Sequence, residues 1–455
     1  MPKLGLAPVT SQTLDTALLY NENHFQQDEG VSANPITSAP PTPVDNRPAV
    51  TVLSGFSPGA VHAAARALLV ADEQLLAVNH DLTGIRDGLV RRTVRTAAEL
   101  IEQHTVELVH GCVSCTLRED VLPTLVRLAR TRPGQDIVLV LPPVVEPEAV
   151  ASACANCLVD DAPVIDTVRF DSYVTVVDAD RFLDDLASTD DLRDRGLHAS
   201  DDDHRAVAEV VVHQVEFCDT VILWSRPDAD SLELHRVGTL VHRLAPWAIQ
   251  VPTGTTDSLD CTALTSLVRR TGRHDPNRPG MLGLALEGRP IAVHDTDSCD
   301  VASILFESRR PFHPRRLDDA LEELTGQALR GRGQLWIASQ PDTALAFEFA
   351  GGGVSLGSLG YWLAALPIER WAEASDDRRI AADLAWDPYY GDRRTVLALI
   401  GLHLDHQAVT ALLHDCLLTD RELADGFDTW RDLPDPFAGC FPLTDEDHTD
   451  EENQQ

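Results

Sequence analysis

Between residues 48 and about 256 the chain alternates short apolar runs with longer stretches of helical periodicity. The run AVTVLSGF is β-type and turns at Gly55, and AVHAAARALLVADE after it repeats its apolar positions at helical spacing. The run LLAVNH reads as a second strand, TAAELIEQH as a helix with Glu99 and Glu102 on its wet face, and VELVH as another strand. A helix VLPTLVRLART and a continuous apolar run DIVLVLPP follow, and a run of that kind suits a parallel strand buried on both faces. YVTVVDA and DTVILW repeat the style around the helical HRAVAEVVVHQVEF. Strands alternating with helices predict an α/β, doubly wound domain over residues 48–256.

Residues 1–47 are expected to be a disordered tail, because VSANPITSAPPTPVDNRP has little to bury. Residues 257–299 are weakly patterned and are expected to connect the first domain to a second over 300–437. There, strand-like SILFESRR, QLWIASQ, ALAFEFAGGGVSLGS and TVLALIGLH accompany the helices PRRLDDALEEL and AVTALLHDCLLTDREL, which predicts a smaller α+β unit. Residues 438–455 end in TDEDHTDEENQQ and are expected to be an acidic tail.

Charge narrows the range of partners. The 455 residues carry 72 acids against 37 bases, a net charge of −35. Wrapping nucleic acid or lying on an anionic membrane needs a dense basic face, so both are excluded as expectations, while a basic protein partner is favoured. No apolar stretch reaches the length of about 18 residues that a membrane helix needs, and MPKLGLAPVT lacks the pattern of a signal peptide, so a cytoplasmic location is expected. The only lysine is Lys3. No lysine of the folded body is therefore available to bind phosphate, form a Schiff base or act as a base.

The order AVTVLSGF, SPGAV, HAAARALL is that of a phosphate-binding loop, in which turn and helix N–H groups cradle an anion. The cysteines add a second signal. Cys112 and Cys115 in HGCVSCTLRED, and Cys154 and Cys157 in ASACANCLVD, have the C-x-x-C spacing that places two thiolates on one ion. With these residues the chain resembles the CobW family of P-loop GTPases and zinc metallochaperones. SRRPFHPRRL, RGQLWIASQPD and WDPYYGDRRTVLALIGLHLD resemble the family's C-terminal domain. The resemblance implies a P-loop GTPase-like domain followed by a CobW C-terminal domain.

Set against the family, the nucleotide elements depart. In G-x-x-x-x-G-K-[ST], Gly55 fits and Gly59 adjoins the loop's end, but Ala60 replaces the second glycine, Val61 the lysine and His62 the hydroxyl residue. The lysine neutralises terminal phosphates and the hydroxyl holds Mg²⁺. In VLPPVVEP, Val140 stands at the acid and Pro143 at the glycine, while Glu146 and Pro147 survive. Where the guanine-reading N-K-x-D belongs, the chain reads Trp224, Ser225, Arg226, Pro227, with Asp228 one place late. Binding of GTP and Mg²⁺ is not expected, and Arg66 is the only nearby cation.

The family's Gly-Cys-x-Cys-Cys-Thr motif retains Cys112 and Cys115, with Ser114 at the middle cysteine. Zinc is the implied metal, and His110, His62, Cys154 or Cys157 are candidates to complete its ligands. A thiol redox role is disfavoured, because neither pair sits at the strand-to-helix junction of a thioredoxin-like βαβ unit. Within the family the chain looks like a branch from GC-rich bacteria that recruits a ribosome-hibernation factor during zinc starvation. That implies an adaptor with a ribosome-associated or other basic partner, docked through the C-terminal domain over 300–437, where stretches such as SRRPFHPRR can anchor the contact. The alternative is a zinc metallochaperone that hydrolyses GTP to drive transfer.

Overall fold

The computed structural model describes residues 6–8, 45–200, 203–226, 228–253, 260–276, 280 and 298–439. A three-residue strand β1 (Leu6–Pro8) lies inside the stretch expected to be a tail and pairs in parallel with the edge of the second sheet. The first domain opens with β2 (Ala49–Ser54), whose six residues are all buried, as expected of a strand covered on both faces. It continues with α1 (Pro58–Ala71), β3 (Leu76–Asp81), β4 (Leu89–Arg95) and β5 (Leu100–Glu107). Helix α2 (Val113–Thr116) runs through a π turn at Leu117–Val121 into α3 (Leu122–Thr131). Next come β6 (Ile137–Val140), α4 (Pro147–Asn156), the short pair β7 (Leu158–Val159) and β8 (Ala162–Pro163), and β9 (Arg169–Asp178). The domain continues through α5 (Phe182–Leu186), α6 (Val207–Phe217), β10 (Thr220–Trp224), α7 (Ser231–Leu244), β11 (Ile249–Pro252) and α8 (Cys261–Val268).

The eight-stranded sheet has the order β11-β10-β9-β2-β6-β3-β4-β5. Its strands are parallel from β11 to β3, and β4 and β5 add an antiparallel hairpin. One face buries Ala60, Val61, Ala64 and Leu68 of α1 with Leu264 and Val268 of α8. The other buries α3, α4, α6 and α7.

Two expectations need correction. TAAELIEQH is not a helix: Leu100–Glu107 is the outer strand of the β4–β5 hairpin, where Glu102 accepts from Arg127 at 2.7 and 2.8 Å and lies 3.7 Å from Arg92 of β4. Cross-strand pairing overrode a local helical preference. The first domain also does not end near residue 256, because α8 returns to α1 and Arg269 and Arg270 bind the buried Asp136 at 3.2 and 2.6 Å.

The second domain holds β12 (Val301–Ser308), α9 (Pro314–Gln327), β13 (Arg330–Leu335), β14 (Thr343–Ala350) and β15 (Gly353–Tyr361). It closes with α10 (Asp376–Leu384), β16 (Thr395–Leu402), α11 (His406–Asp415) and α12 (Asp420–Arg431). Its sheet runs β1-β15-β14-β13-β16-β12. AVTALLHDCLLTDREL divides into α11 and α12, because Thr419 and Glu422 form a capping box that starts a new helix. Leu317, Leu321 and Leu324 of α9 and Val409 and Leu413 of α11 cover one sheet face. On the other, Val301, Ala350 and Ile400 join the core that contains α6 and α7, so the two domains share buried surface.

Candidate functional site

The loop between β2 and α1 is filled from within. Gly55 has φ +153°, and a β-carbon there would lie 2.5 Å from the Val176 carbonyl oxygen, so the turn needs glycine. Ser54 Oγ lies 2.9 Å from Thr175 Oγ1, and Ser57 Oγ donates to Asp178 Oδ2 at 2.7 Å. Pro58 opens α1 and removes one N–H from the cradle. Val61, at the lysine position, is 2% exposed and packs among Leu53, Ala64, Val174 and Val176. Ala60 is buried, while His62, Gly59 and Arg66 lie on the exposed side. A cavity beside the loop, lined by Phe56, Ser57, Asp178, Asp185 and Gln214, has about 20 Å³, enough for a water. Asp178 is bonded to the loop, and no lysine or arginine lines this cavity among the described residues.

The loop after β6 is held as firmly. Gln214 of α6 donates to the Pro143 carbonyl at 2.8 Å and to the Val145 carbonyl at 3.4 Å. Val140 is buried in the core. At the base-reading position, Arg226 pairs with Asp180 at 2.9 Å and lies 3.9 Å from Asp228. Pro227 lies outside the described residues.

The cysteines come only partly together. Cys112 is the N-cap of α2, and its Sγ accepts from the Cys115 amide at 3.3 Å. Cys115 is buried; burial and the adjacent Cys112 push its thiol up, against the Arg118 guanidinium 3.8 Å away. Cys154 lies in the core of α4, and burial pushes it well up; Cys157 ends that helix, also pushed up by burial but eased by Arg118. His110 is exposed, and its carbonyl accepts from the Cys112 amide. Among the described residues no three His, Cys, Asp or Glu side chains are arranged to hold a metal ion. Cys112 and Cys115 therefore offer two of the four ligands a structural zinc takes, and the fit is incomplete. His62, across the sheet on α1, and the second cysteine pair do not complete it.

Charge that is missing at the loop is concentrated where the domains meet. Glu209, His213 and Glu216 recur along one face of α6. Arg330 and Glu216 are each 1% exposed and form a two-pronged pair, with both bonds at 2.9 Å. Arg332 Nη1 lies 2.5 Å from the same carboxylate, and Arg330 also donates to Glu348 at 2.7 Å. His213 Nδ1 is 3.0 Å from Glu146, and its Nε2 is 3.2 Å from Glu348. Two carboxylates can both accept only from an imidazolium. Burial works against that charge, but Glu348 and Glu146 overcome it and hold the His213 pKa well above its ordinary value. Burial likewise opposes the Glu348 and Glu146 carboxylates, and His213 with Arg330 or Arg205 holds both below the usual range. Glu148 is raised instead: burial outweighs the pull of His213 and, with Glu146, Glu348 and Glu216 nearby, lifts it to about 7. Glu146, the acidic residue after the β6 loop, is thus tied to β14 of the second domain. Sequence pattern did not reveal this network, although the HxxE of α6 and the RGR of β13 were its only linear traces.

The stretch SRRPFHPRR is largely consumed internally. Phe312 is fully buried, and His313 caps α9, its Nδ1 accepting from the Arg316 amide at 3.4 Å. Arg310 binds Asp420 at 2.8 Å and Arg316 binds Glu422 at 2.8 Å. Phe312, His313, Arg310 and Arg316 of this stretch are therefore engaged within the fold, while Arg315 is exposed.

A doubly wound P-loop GTPase-like domain joined to a small α+β domain is the class that this fold defines. Residues 72–248 match the CobW/HypB/UreG nucleotide-binding domain, and residues 301–417 match the cobalamin synthesis protein CobW C-terminal domain. A zinc chaperone from Mycobacterium tuberculosis is 36% identical over 77% of this chain and 85% of its own length. The zinc-regulated GTPase metalloprotein activator 1 of Dictyostelium discoideum is 29% identical over 85% of this chain and 81% of its own. The chain belongs to the CobW family. No helix among the described residues is long and apolar enough to cross a membrane.

Proposed function

We propose that this protein is a zinc-related CobW-family adaptor that works without nucleotide turnover and recruits a ribosome-hibernation factor under zinc limitation. The observation that carries the reading is Val61, buried at the position where phosphoryl transfer needs a lysine. The degenerate loop leaves the α/β domain as a platform, and the charged seam fixes the second domain on it. The strong negative charge suits a basic protein partner, in the cytoplasm, and not nucleic acid or membrane.

The test is co-sedimentation of purified hibernation factor with ribosomes, with and without this protein. Recruitment that is equal with GTP, GDP or no nucleotide is expected. Recruitment that requires Mg²⁺ and GTP, or its absence, overturns the adaptor reading. A second reading, a zinc metallochaperone driven by GTP hydrolysis, is favoured by the names of the two relatives and by the adjoining Cys112 and Cys115. Zinc transfer to an acceptor protein that depends on GTP hydrolysis would establish it.

A further inference from the structure

Between β15 and β16 the second domain presents an apolar face with a charged border. Helix α10 turns Arg378, Ala381, Ala382 and Ala385 inward, toward Trp362 and Leu359. Its opposite face carries Ile380 and Leu384, one turn apart, and Leu384 is 84% exposed. Ile368, Trp386 and Tyr389 are exposed on the flanking segments. The Trp386 ring lies 5.3 Å from that of Trp371, whose Nε1 donates to the Leu363 carbonyl at 2.9 Å. The aromatic loop is fixed from behind. Asp387 Oδ1 accepts from the Tyr389 and Tyr390 amides, both at 2.8 Å, and Arg309 donates to the carbonyls of Ala385, Gly391 and Arg393. Aromatic anchors held rigid before contact are what an interface hot spot requires.

The border selects the occupant. Glu369, Glu373, Asp376, Asp383 and Asp387 are interspersed along the chain with these apolar residues. Of the nearby cations, Arg370 pairs with Glu373 at 3.1 Å, Arg379 with Asp376, and Arg378 turns inward to the Tyr361 carbonyl. Glu369 and Asp383 have no cationic partner among the described residues. An acidic rim repels nucleic acid, anionic lipid and a second copy of the same face, and attracts a basic polypeptide. We propose that residues 368–389 are the docking face for a basic partner protein that inserts an apolar helix face over Ile380, Leu384 and Trp386. The proposal rests on the adaptor reading and gives it a surface.

The test is fluorescence anisotropy on the full chain. The probes are a helical peptide with leucines on one face and arginines elsewhere, and its glutamate counterpart. The arginine peptide should bind, more weakly as salt rises. Leu384→Asp and Ile380→Asp should each weaken it at least tenfold with an unchanged unfolding midpoint, since both positions are exposed. Leu158→Asp, on the other domain, should leave binding unaltered. Equal binding of both peptides, binding of neither, unchanged binding by Leu384→Asp, or a dimer that Leu384→Asp dissolves would each overturn the proposal. Purified hibernation factor separates the two claims. If the factor ignores the protein while the peptide results hold, the adaptor reading falls and the face stands. If the factor binds Leu384→Asp as well as it binds the native chain, the face falls and the adaptor stands.

Discussion

Helix α6 separates two regions with opposite histories of charge. Toward the β2–α1 loop it presents Val211, Gln214 and Val215, and that loop, which in a GTPase must meet several negative charges, is backed by the buried Val61 of α1 and faced by the Asp178 carboxylate of β9. Toward the second domain it presents Glu209, His213 and Glu216, and there six side chains, Glu146, His213, Glu216, Arg330, Arg332 and Glu348, are ion-paired in one network. Charge is costly to bury and persists only when paired. Paired buried charge of this kind thus lies where the two domains meet.

The largest effect should come from the seam. Arg330→Ala leaves Glu216 and Glu348 short of a buried partner and should cost about 3–5 kcal/mol, read from urea unfolding. Replacing Arg330 and Glu216 together by apolar residues should cost less than the single change, because no orphan charge remains. Cutting the chain near residue 256 would strand the same glutamate, so surface substitution is the cleaner way to map partners.

Next comes the loop. Val61→Lys places an ammonium where the walls are apolar and should cost about 2 kcal/mol. Even combined with His62→Thr it should not restore GTP hydrolysis, because Val140 and the base-reading segment are unchanged. Hydrolysis by the double variant would show that the lysine and hydroxyl alone were missing.

The seam should also titrate. Glu148 has a raised pKa, so the folded state holds a proton that the unfolded state gives up above about pH 4.5, and stability should fall as pH rises toward about 7. His213, also raised, contributes in full below about pH 6.5 and loses its contribution as pH climbs through its folded value. Glu148→Gln should remove the lower part of this slope and stabilise the protein at pH 8 by about 1 kcal/mol, since its side chain is partly exposed. Unfolding midpoints across pH 5–9 check the sign. The smallest effect is expected from Cys112→Ser, where a hydroxyl can replace the sulfur as cap acceptor and stability should change by about 0.5 kcal/mol or less. Any zinc held by the loop should be lost in the same variant.

The parallel core was legible because β2 and β6 and the YVTVV stretch of β9 are apolar runs of β type, and α1 repeats at helical spacing. The outer hairpin was not, since the Glu102 carboxylate that fixes β5 is answered by Arg92 and Arg127 from other elements. The loop's substitutions could be read from single positions, because a missing lysine is a local fact. The seam could not, as His213 and Glu348 are brought together only by the packing of a helix on a sheet. The contacts of SRRPFHPRR were hidden for the same reason: Arg309, Arg310 and Arg316 find carbonyls and a carboxylate across the fold.

Calorimetric titration of the full chain with GTP and Mg²⁺ tests the central claim most directly. A loop filled by Val61 and faced by Asp178 predicts no binding heat at micromolar nucleotide and the same unfolding midpoint with or without it. Stoichiometric micromolar binding accompanied by Mg²⁺-dependent hydrolysis would contradict the account.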